Sequence, residues 1–291
     1  MNNKKKWISF PLKVFRFIWK TVRILLIGYA VLFSFAMSAL IIAGFLFVSK
    51  PLNEVKALKT ENPRETAYMN QYRKELLSEG NSDSLYQKFV PLDSVSPLLI
   101  QAVLAAEDDG FYTHPGFDLN AIIDAIDHNR SVNANRRGAS TITQQTAKNF
   151  FLYHDRTFER KLKELGYTLL MEKYLGKERI LELYLNYAQW GKNIFGCEAA
   201  SRHYFNKPSH RLNRFESARM AAVLAMPSRI TPHHTKSVFM ARRLAVIANN
   251  LYLRGHIDVP EYYQLTGNYP PGLEEIPEEP QSGEEEFNND R

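Results

Sequence analysis

Apolar and polar positions along this chain repeat with a helical period almost everywhere, and strand-like alternation is scarce. Between residues 24 and 48 run 25 consecutive residues without a charge, enough at ~1.5 Å per residue to cross a ~30 Å hydrocarbon core. A transmembrane helix is expected there. The alternative is a cleavable signal peptide, with Ala36-Met37-Ser38 resembling a cleavage site, but the apolar stretch exceeds the ~7 to 15 residues of a signal core. Residues 49–62 read as a linker leaving the membrane, and 66–77 as an amphipathic helix through Met69, Tyr72, Leu76 and Leu77. Ser96-Pro97 offers a capping hydroxyl followed by Pro at the first helical position, and 98–106 continues it apolar on most sides, which predicts a buried helix. Further helices are expected at 119–129, 141–151, 157–174, 177–187, 196–204, 214–225 and 236–253. Asp118 offers a cap to the first of these, Gly176 ends a helix, and Pro227 with Pro232 stops another.

The fold class is therefore mainly α. Its expected organisation is a basic segment at 1–23, the membrane helix at 24–48, a linker and membrane-proximal helix at 49–90, a catalytic domain at 91–269 and a tail at 270–291. That tail is acidic and Pro-rich, a composition expected to be disordered.

Charge refines this picture. The net charge is +6, yet residues 1–23 carry seven Lys or Arg and no acid, while 274–291 carry eight acids against Arg291 alone. The two ends cancel. Basic residues crowd the N-terminal flank of the apolar run, whereas Lys50, Lys56 and Lys59 on the other flank are diluted by Glu54 and Glu61, so the N-terminus is expected in the cytoplasm and the rest outside. A basic balance also suits nucleic acid, but these cations sit beside a membrane span and no nucleic-acid motif accompanies them. No nucleic-acid partner is expected. Cys197 is the single cysteine, so no intrachain disulfide forms, and it reads as a small packing residue.

Candidate chemistry gathers in four segments: EDDGFYTHPGFD from Glu107, RGASTITQQTAKN from Arg137, RKLKE from Arg160, and the long run from Lys177 to Phe205. Glu107 ends a helix beside Leu104, Ala105, Ala106 and Phe111. Exposed carbonyls and apolar neighbours both favour its protonated form, the setting of a general base. The other reading is a surface Glu in an acidic turn with Asp108 and Asp109. Glu164 stands one turn after Arg160 and Lys161, a contrasting environment that suggests a second role or a surface salt bridge. Arg156, Arg160 and Glu164 recur every four residues, and Thr141, Gln144 or Gln145, and Lys148 share one helix face. Such a set of amides and cations suits an anionic leaving group; taken singly, each is more often solvated. His114 reads as a loop-fixing residue. No metal-ligand spacing occurs, so a metal would be bound mainly through the substrate. Leu181, Leu183, Tyr184 and Leu185 look like core, with Asn186 and Gly191 shaping a turn.

Together the four segments resemble the family 51 glycosyltransferases, the peptidoglycan polymerases, from about Pro91 to Pro227. The resemblance implies a lysozyme-like helical domain with two lobes around a groove. Glu107 is then the position that deprotonates the acceptor's 4-hydroxyl, with Glu164 near the leaving diphosphate, where it helps hold a divalent cation or stabilises charge at the anomeric carbon. Lys148 and Arg156 fall at the donor phosphate with Arg160 close by. Ser140, Thr141, Gln144, Gln145, Asn149, Asp108, His114, Lys161 and Lys163 complete the substrate-binding candidates. The second motif usually opens Gly-Gly-Ser; here it is Gly138-Ala139-Ser140. Trp190 before Gly191 resembles the monofunctional branch, and with no Ser-x-x-Lys or Lys-Thr-Gly no acyl-serine chemistry is expected. The implied substrates are lipid II and the growing glycan strand, with Mg²⁺ or Mn²⁺ carried on the diphosphate. The implied location is the outer face of the cytoplasmic membrane beside cell-wall assembly proteins. A lysozyme-like hydrolase and a catalytically silent assembly scaffold are the rivals.

Overall fold

In this computed structural model residues 4–118, 140–153 and 157–273 are described, apart from side chains at 4–13 and 43–48. The expected helix at 119–129, the Gly138-Ala139 pair, Arg156 and the tail from 274 lie outside the described residues.

Ten α-helices run through the described chain: α1 (Lys4–Ala57), α2 (Ala67–Ser78), α3 (Pro97–Glu107), α4 (Ile142–Phe151), α5 (Phe158–Tyr174), α6 (Lys177–Tyr187), α7 (Cys197–Phe205), α8 (Arg214–Val223), α9 (Val238–Leu253) and α10 (Val259–Thr266). The mainly α expectation holds. Met1–Glu54 and Val55–Arg291 form separate compact units. Within the first, Val14–Ile42 is a 29-residue apolar stretch of membrane-crossing length. The Thr21 hydroxyl inside it donates to the Phe17 carbonyl at 3.0 Å, the usual way a helix satisfies such a group.

α1 does not end at residue 48. It continues to Ala57, into the stretch that read as linker, because Leu52 and Val55 keep the helical period and Val55 is fully buried in the core of the second unit. α10 was not expected either, although its start is written in the sequence. Asp258 accepts from the Glu261 amide at 2.8 Å in a reciprocal capping box, with Pro260 in the first turn. Ser96 departs from its expected role. Its hydroxyl makes no cap and donates instead to the Leu212 carbonyl at 3.1 Å, tying the start of α3 to the segment before α8.

α3 is apolar on nearly all sides because it is packed on nearly all sides. It lies against α8 and α9, while α4 lies against α5 and α6. One large cluster, including Leu99, Val103, Ile142, Leu181 and Trp190, joins these helices, and a smaller one gathers Met69, Phe150, Leu183, Tyr187 and Phe195. Among the described residues three short strands pair in the order β1 (Tyr86–Gln87), β3 (Ile194–Phe195), β2 (Gln189–Gly191), parallel then antiparallel.

Asn186 and Gly191 do not shape the turn. Asn186 is buried within α6 and uses its amide three ways, accepting from the Val90 N–H at 2.9 Å and donating to the Val90 and Glu182 carbonyls at 2.8 Å each. Gly191 lies in β2, where a Cβ would collide with the Tyr204 hydroxyl. Around this turn the positive φ angles fall at Asn193 (60°) and Gly196 (82°), and a Cβ at Gly196 would stand 2.7 Å from the Asn186 carbonyl oxygen. That position takes glycine for both reasons. Cys197, next along, is fully buried, and burial pushes the pKa of its thiol up to about 12.

Candidate active site

The site is assembled from side chains of five helices, α3, α4, α5, α6 and α9. Glu107 is the last residue of α3, and its side chain is only 13% exposed. Arg243, on α9, brings Nη2 to 2.5 Å from Oε1 and to 3.2 Å from the Ala106 carbonyl. Gln145, on α4, donates from Nε2 to Oε2 at 3.0 Å, and the Tyr184 hydroxyl on α6 donates to Gln145 Oε1 at 3.3 Å. Burial pushes the Glu107 carboxyl above its usual range; the Arg243 charge and the hydrogen bonds from Gln145 and Arg243 pull against it, and Asp108 adds to the rise. Burial also raises the Tyr184 hydroxyl well above its ordinary value, with the Glu107 charge contributing. Tyr184 is a neutral donor here.

Asp108 is a brace behind the site. Its Oδ1 is 2.8 Å from His114 Nε2, and its Oδ2 accepts from the Ile142 N–H, the first amide of α4, at 2.9 Å. Because His114 Nδ1 accepts from the Gly116 N–H at 3.1 Å, the ring proton sits on Nε2 and points at Asp108. Gly116 has φ of +93°, and a Cβ there would lie 2.7 Å from Glu172 Cγ and 2.8 Å from Thr168 Cγ2. The Gly116 carbonyl accepts from the Thr141 hydroxyl at 2.6 Å. Lys177 fixes the same loop from α6, donating to the His114 carbonyl at 2.8 Å and pairing with Glu172 at 2.7 Å, while its ammonium stands 4.5 Å from the centre of the Phe111 ring.

The polar comb expected on α4 is thereby divided. Thr141 and Gln144 are buried and spend their side chains on a reciprocal capping box, so of the two glutamines only Gln145 reaches Glu107. Ser140 is exposed just before that cap, and Asn149 is half-buried beside Lys148.

Glu164 is 3% exposed on α5, and both its oxygens meet cations, Arg160 Nη1 at 2.6 Å and Lys161 Nζ. Lys163 is turned to Glu159 at 2.6 Å, outside this group. Lys148, largely buried on α4, links the two carboxylates electrostatically. Burial lowers its pKa; Glu164 opposes that, Arg160 and Lys161 reinforce it, and Glu107 opposes it in turn. Among the described residues no three His, Cys, Asp or Glu stand together as a metal-holding group.

Arg243 escaped the sequence reading. Its signal is its position: Met240, Leu244, Ile247 and Ala248 are the buried face of α9, and residue 243 falls on that face at helical spacing. A cation on an apolar face needs a partner. Tyr184, read as core, is both core and donor.

A family model described as Transglycosylase matches residues 73–251. The chain is 47% identical over 167 residues to a biosynthetic peptidoglycan transglycosylase of Rhodospirillum centenum, covering 55% of this chain and 72% of that protein. A protein of the same description from Pasteurella multocida is 44% identical over 191 residues, covering 65% and 77%. One from Burkholderia orbicola is 38% identical over 200 residues, covering 69% and 80%.

The brace predicts the outcome of Asp108→Asn. Both partners of Asp108 are donors, and a carboxylate accepts twice where an amide accepts once and presents N–H to the other. The variant is expected to lose about 1 to 3 kcal/mol, read as a lowered midpoint of thermal unfolding for the full chain in detergent; an unchanged midpoint contradicts the brace.

Proposed function

We propose, for a chain that belongs to the transglycosylase family and is a peptidoglycan glycosyltransferase, that it polymerises lipid II into β-1,4-linked glycan with release of undecaprenyl diphosphate. The observation that carries the reading is the largely enclosed Glu107 carboxylate, held by two donors, with Lys148 in electrostatic reach of both it and the Glu164–cation group. Glu107 takes the proton from the 4-hydroxyl of the acceptor's N-acetylglucosamine. That oxygen forms the new bond to the anomeric carbon of the donor's N-acetylmuramic acid, the carbon–oxygen bond to the diphosphate breaks, and the configuration inverts. Each Glu107 oxygen keeps a lone pair beyond the one used by Arg243 or Gln145, so a proton can be accepted without breaking either contact.

Charge grows on the leaving diphosphate as that bond breaks. Lys148, Arg156 and Arg160 are the cations assigned to it. Lys148 suits the role because it is desolvated, as the lowered pKa reflects, and has no ion pair among the described residues. An arriving phosphate would restore what burial removed. Glu164 orients Arg160 and Lys161 toward the same group. With both its oxygens already met by cations, it fits a metal poorly, so a divalent cation, Mg²⁺ or Mn²⁺, would be held mainly by the diphosphate and would neutralise its charge. Ser140 and Asn149 flank the same helix. The brace residues Asp108, His114, Thr141 and Gln144 shape the site without reaching into it.

Both substrates are anchored in lipid, and the apolar helix of the first unit fits membrane anchoring. Phe158, Leu162, Leu165 and Leu169 follow helical spacing on α5 and are all exposed, an apolar flank beside the phosphate-directed cations that suits a lipid substrate. The N-terminal cations support an N-terminus in the cytoplasm with the catalytic domain on the outer face, where cell-wall assembly proteins are its expected neighbours.

Three experiments test these statements. Glu107→Gln keeps the shape and loses the base, so polymerisation of labelled lipid II should fall by ~10²-fold or more; near-normal turnover removes Glu107 from the mechanism, and cleavage of glycan in place of polymerisation would mark a hydrolase. Lys148→Ala should cut turnover by roughly 10- to 150-fold, the loss of a charge-assisted contact of ~1.5 to 3 kcal/mol, with a smaller effect on lipid II binding. Lys236→Ala, at an exposed position, is the control of equal charge, and equal losses would mean that only net charge matters. A reporter fused after Arg291 should be active only outside the cytoplasm; activity inside reverses the orientation.

A further inference from the structure

We propose that Arg243 is the positioning residue that holds the Glu107 carboxylate ready to accept a proton, acting through its guanidinium contact and without touching substrate. The inference rests on the assignment of Glu107 as the base.

The geometry separates this role from simple helix packing. α9 is already fastened to α3 by apolar contacts and by Asn250, whose Nδ2 donates to the Ala105 carbonyl at 2.8 Å. That register therefore has a polar link of its own besides those of Arg243. The Arg243 Nη2 serves both the Ala106 carbonyl and Glu107 Oε1, while its Nε is buried with no hydrogen-bond partner among the described residues. A buried donor left unmade is a cost, and a forked pairing would have avoided it. The guanidinium is therefore placed for Glu107 and the helix end rather than for its own satisfaction.

The consequence is electrostatic. Glu107 meets three unfavourable influences on its ionised form: enclosure, the carbonyls at the end of α3, and Asp108 beside it. Gln145 on α4 and Tyr184 on α6 are neutral, and Lys148 on α4 is the more distant cation. Arg243 on α9 is the cation in direct contact, and it also masks the Ala106 carbonyl. With Gln145 on Oε2 and Arg243 on Oε1, the carboxylate is fixed at both oxygens.

The test is the pH profile of kcat/KM for lipid II polymerisation by the full chain. A base works only when deprotonated, so the rate falls as pH drops through its pKa. Removing a contacting cation raises that pKa, so the fall begins at higher pH. Arg243→Ala should move the acid limb up by about one pH unit or more, with the loss greatest in acid and shrinking as pH rises. Arg243→Lys keeps the charge and should leave the limb near its original place. A merely structural arginine would give a loss equal at every pH. Should Arg243→Ala fail to fold, Arg243→Gln carries the same comparison. An unmoved limb in a folded neutral variant, or a Lys variant shifted as far as the neutral one, overturns the inference. Glu107→Gln in the same assay keeps the two readings apart: if it stays active the base assignment fails, and if it is inactive while the Arg243 limb is unmoved only the positioning role fails.

Discussion

A single carboxylate that accepts two hydrogen bonds sets the geometry on which the rest of the site depends. Asp108 follows directly on the helix that ends in Glu107, and it receives the His114 ring N–H on one oxygen and the first amide of α4 on the other. α3, the loop at 108–118 and α4 are thus brought to one point. α4 in turn carries Gln145 and Lys148. Because the amides at a helix start have no partner within the helix, the same contact that locates α4 also satisfies it. Gly116 closes the arrangement, lying so near Thr168 and Glu172 that no side chain fits, and its carbonyl takes the Thr141 hydroxyl that caps α4.

Around this frame the two glutamates are given opposite surroundings. Glu107 is enclosed by apolar helix and touched by one arginine and one amide, whereas Glu164 is buried between two cations on its own helix. Lys148 responds to both. In a site of low polarity each of these charges acts further than it would in water, so an arriving anion changes the balance for all of them. The two carboxylates are thereby coupled electrostatically through one side chain.

Much of this was legible in the sequence because helices announce themselves through local spacing. The helices from α2 to α9 fell where the apolar period placed them, and the motif residues Glu107, Gln145, Lys148, Arg160 and Glu164 could be named before any contact was known. What was not legible depended on partners distant in sequence. Nothing near Arg243 indicates Glu107, which is 136 residues away. Thr141 and Gln144 looked like ligand-facing groups because their spacing is right, and capping consumed them. The continuation of α1 through 49–57 was hidden by its charges, since its apolar positions are few and gain meaning only when Val55 enters the core. Gly191 looked like a turn residue, and the Tyr204 hydroxyl stands where its Cβ would be.

The solitary cysteine leaves the enzyme chemically quiet in a useful way. Cys197 is sealed in the core with its thiol held protonated at neutral pH, and thiol reagents act on exposed thiolates. The native chain is then silent to maleimides and to thiol-linked spin labels while it stays folded. A cysteine introduced at an exposed position such as Ser140 or Phe158 would be the sole reporter in the molecule, so spectroscopy during turnover can follow either flank of the site without first engineering away a background signal.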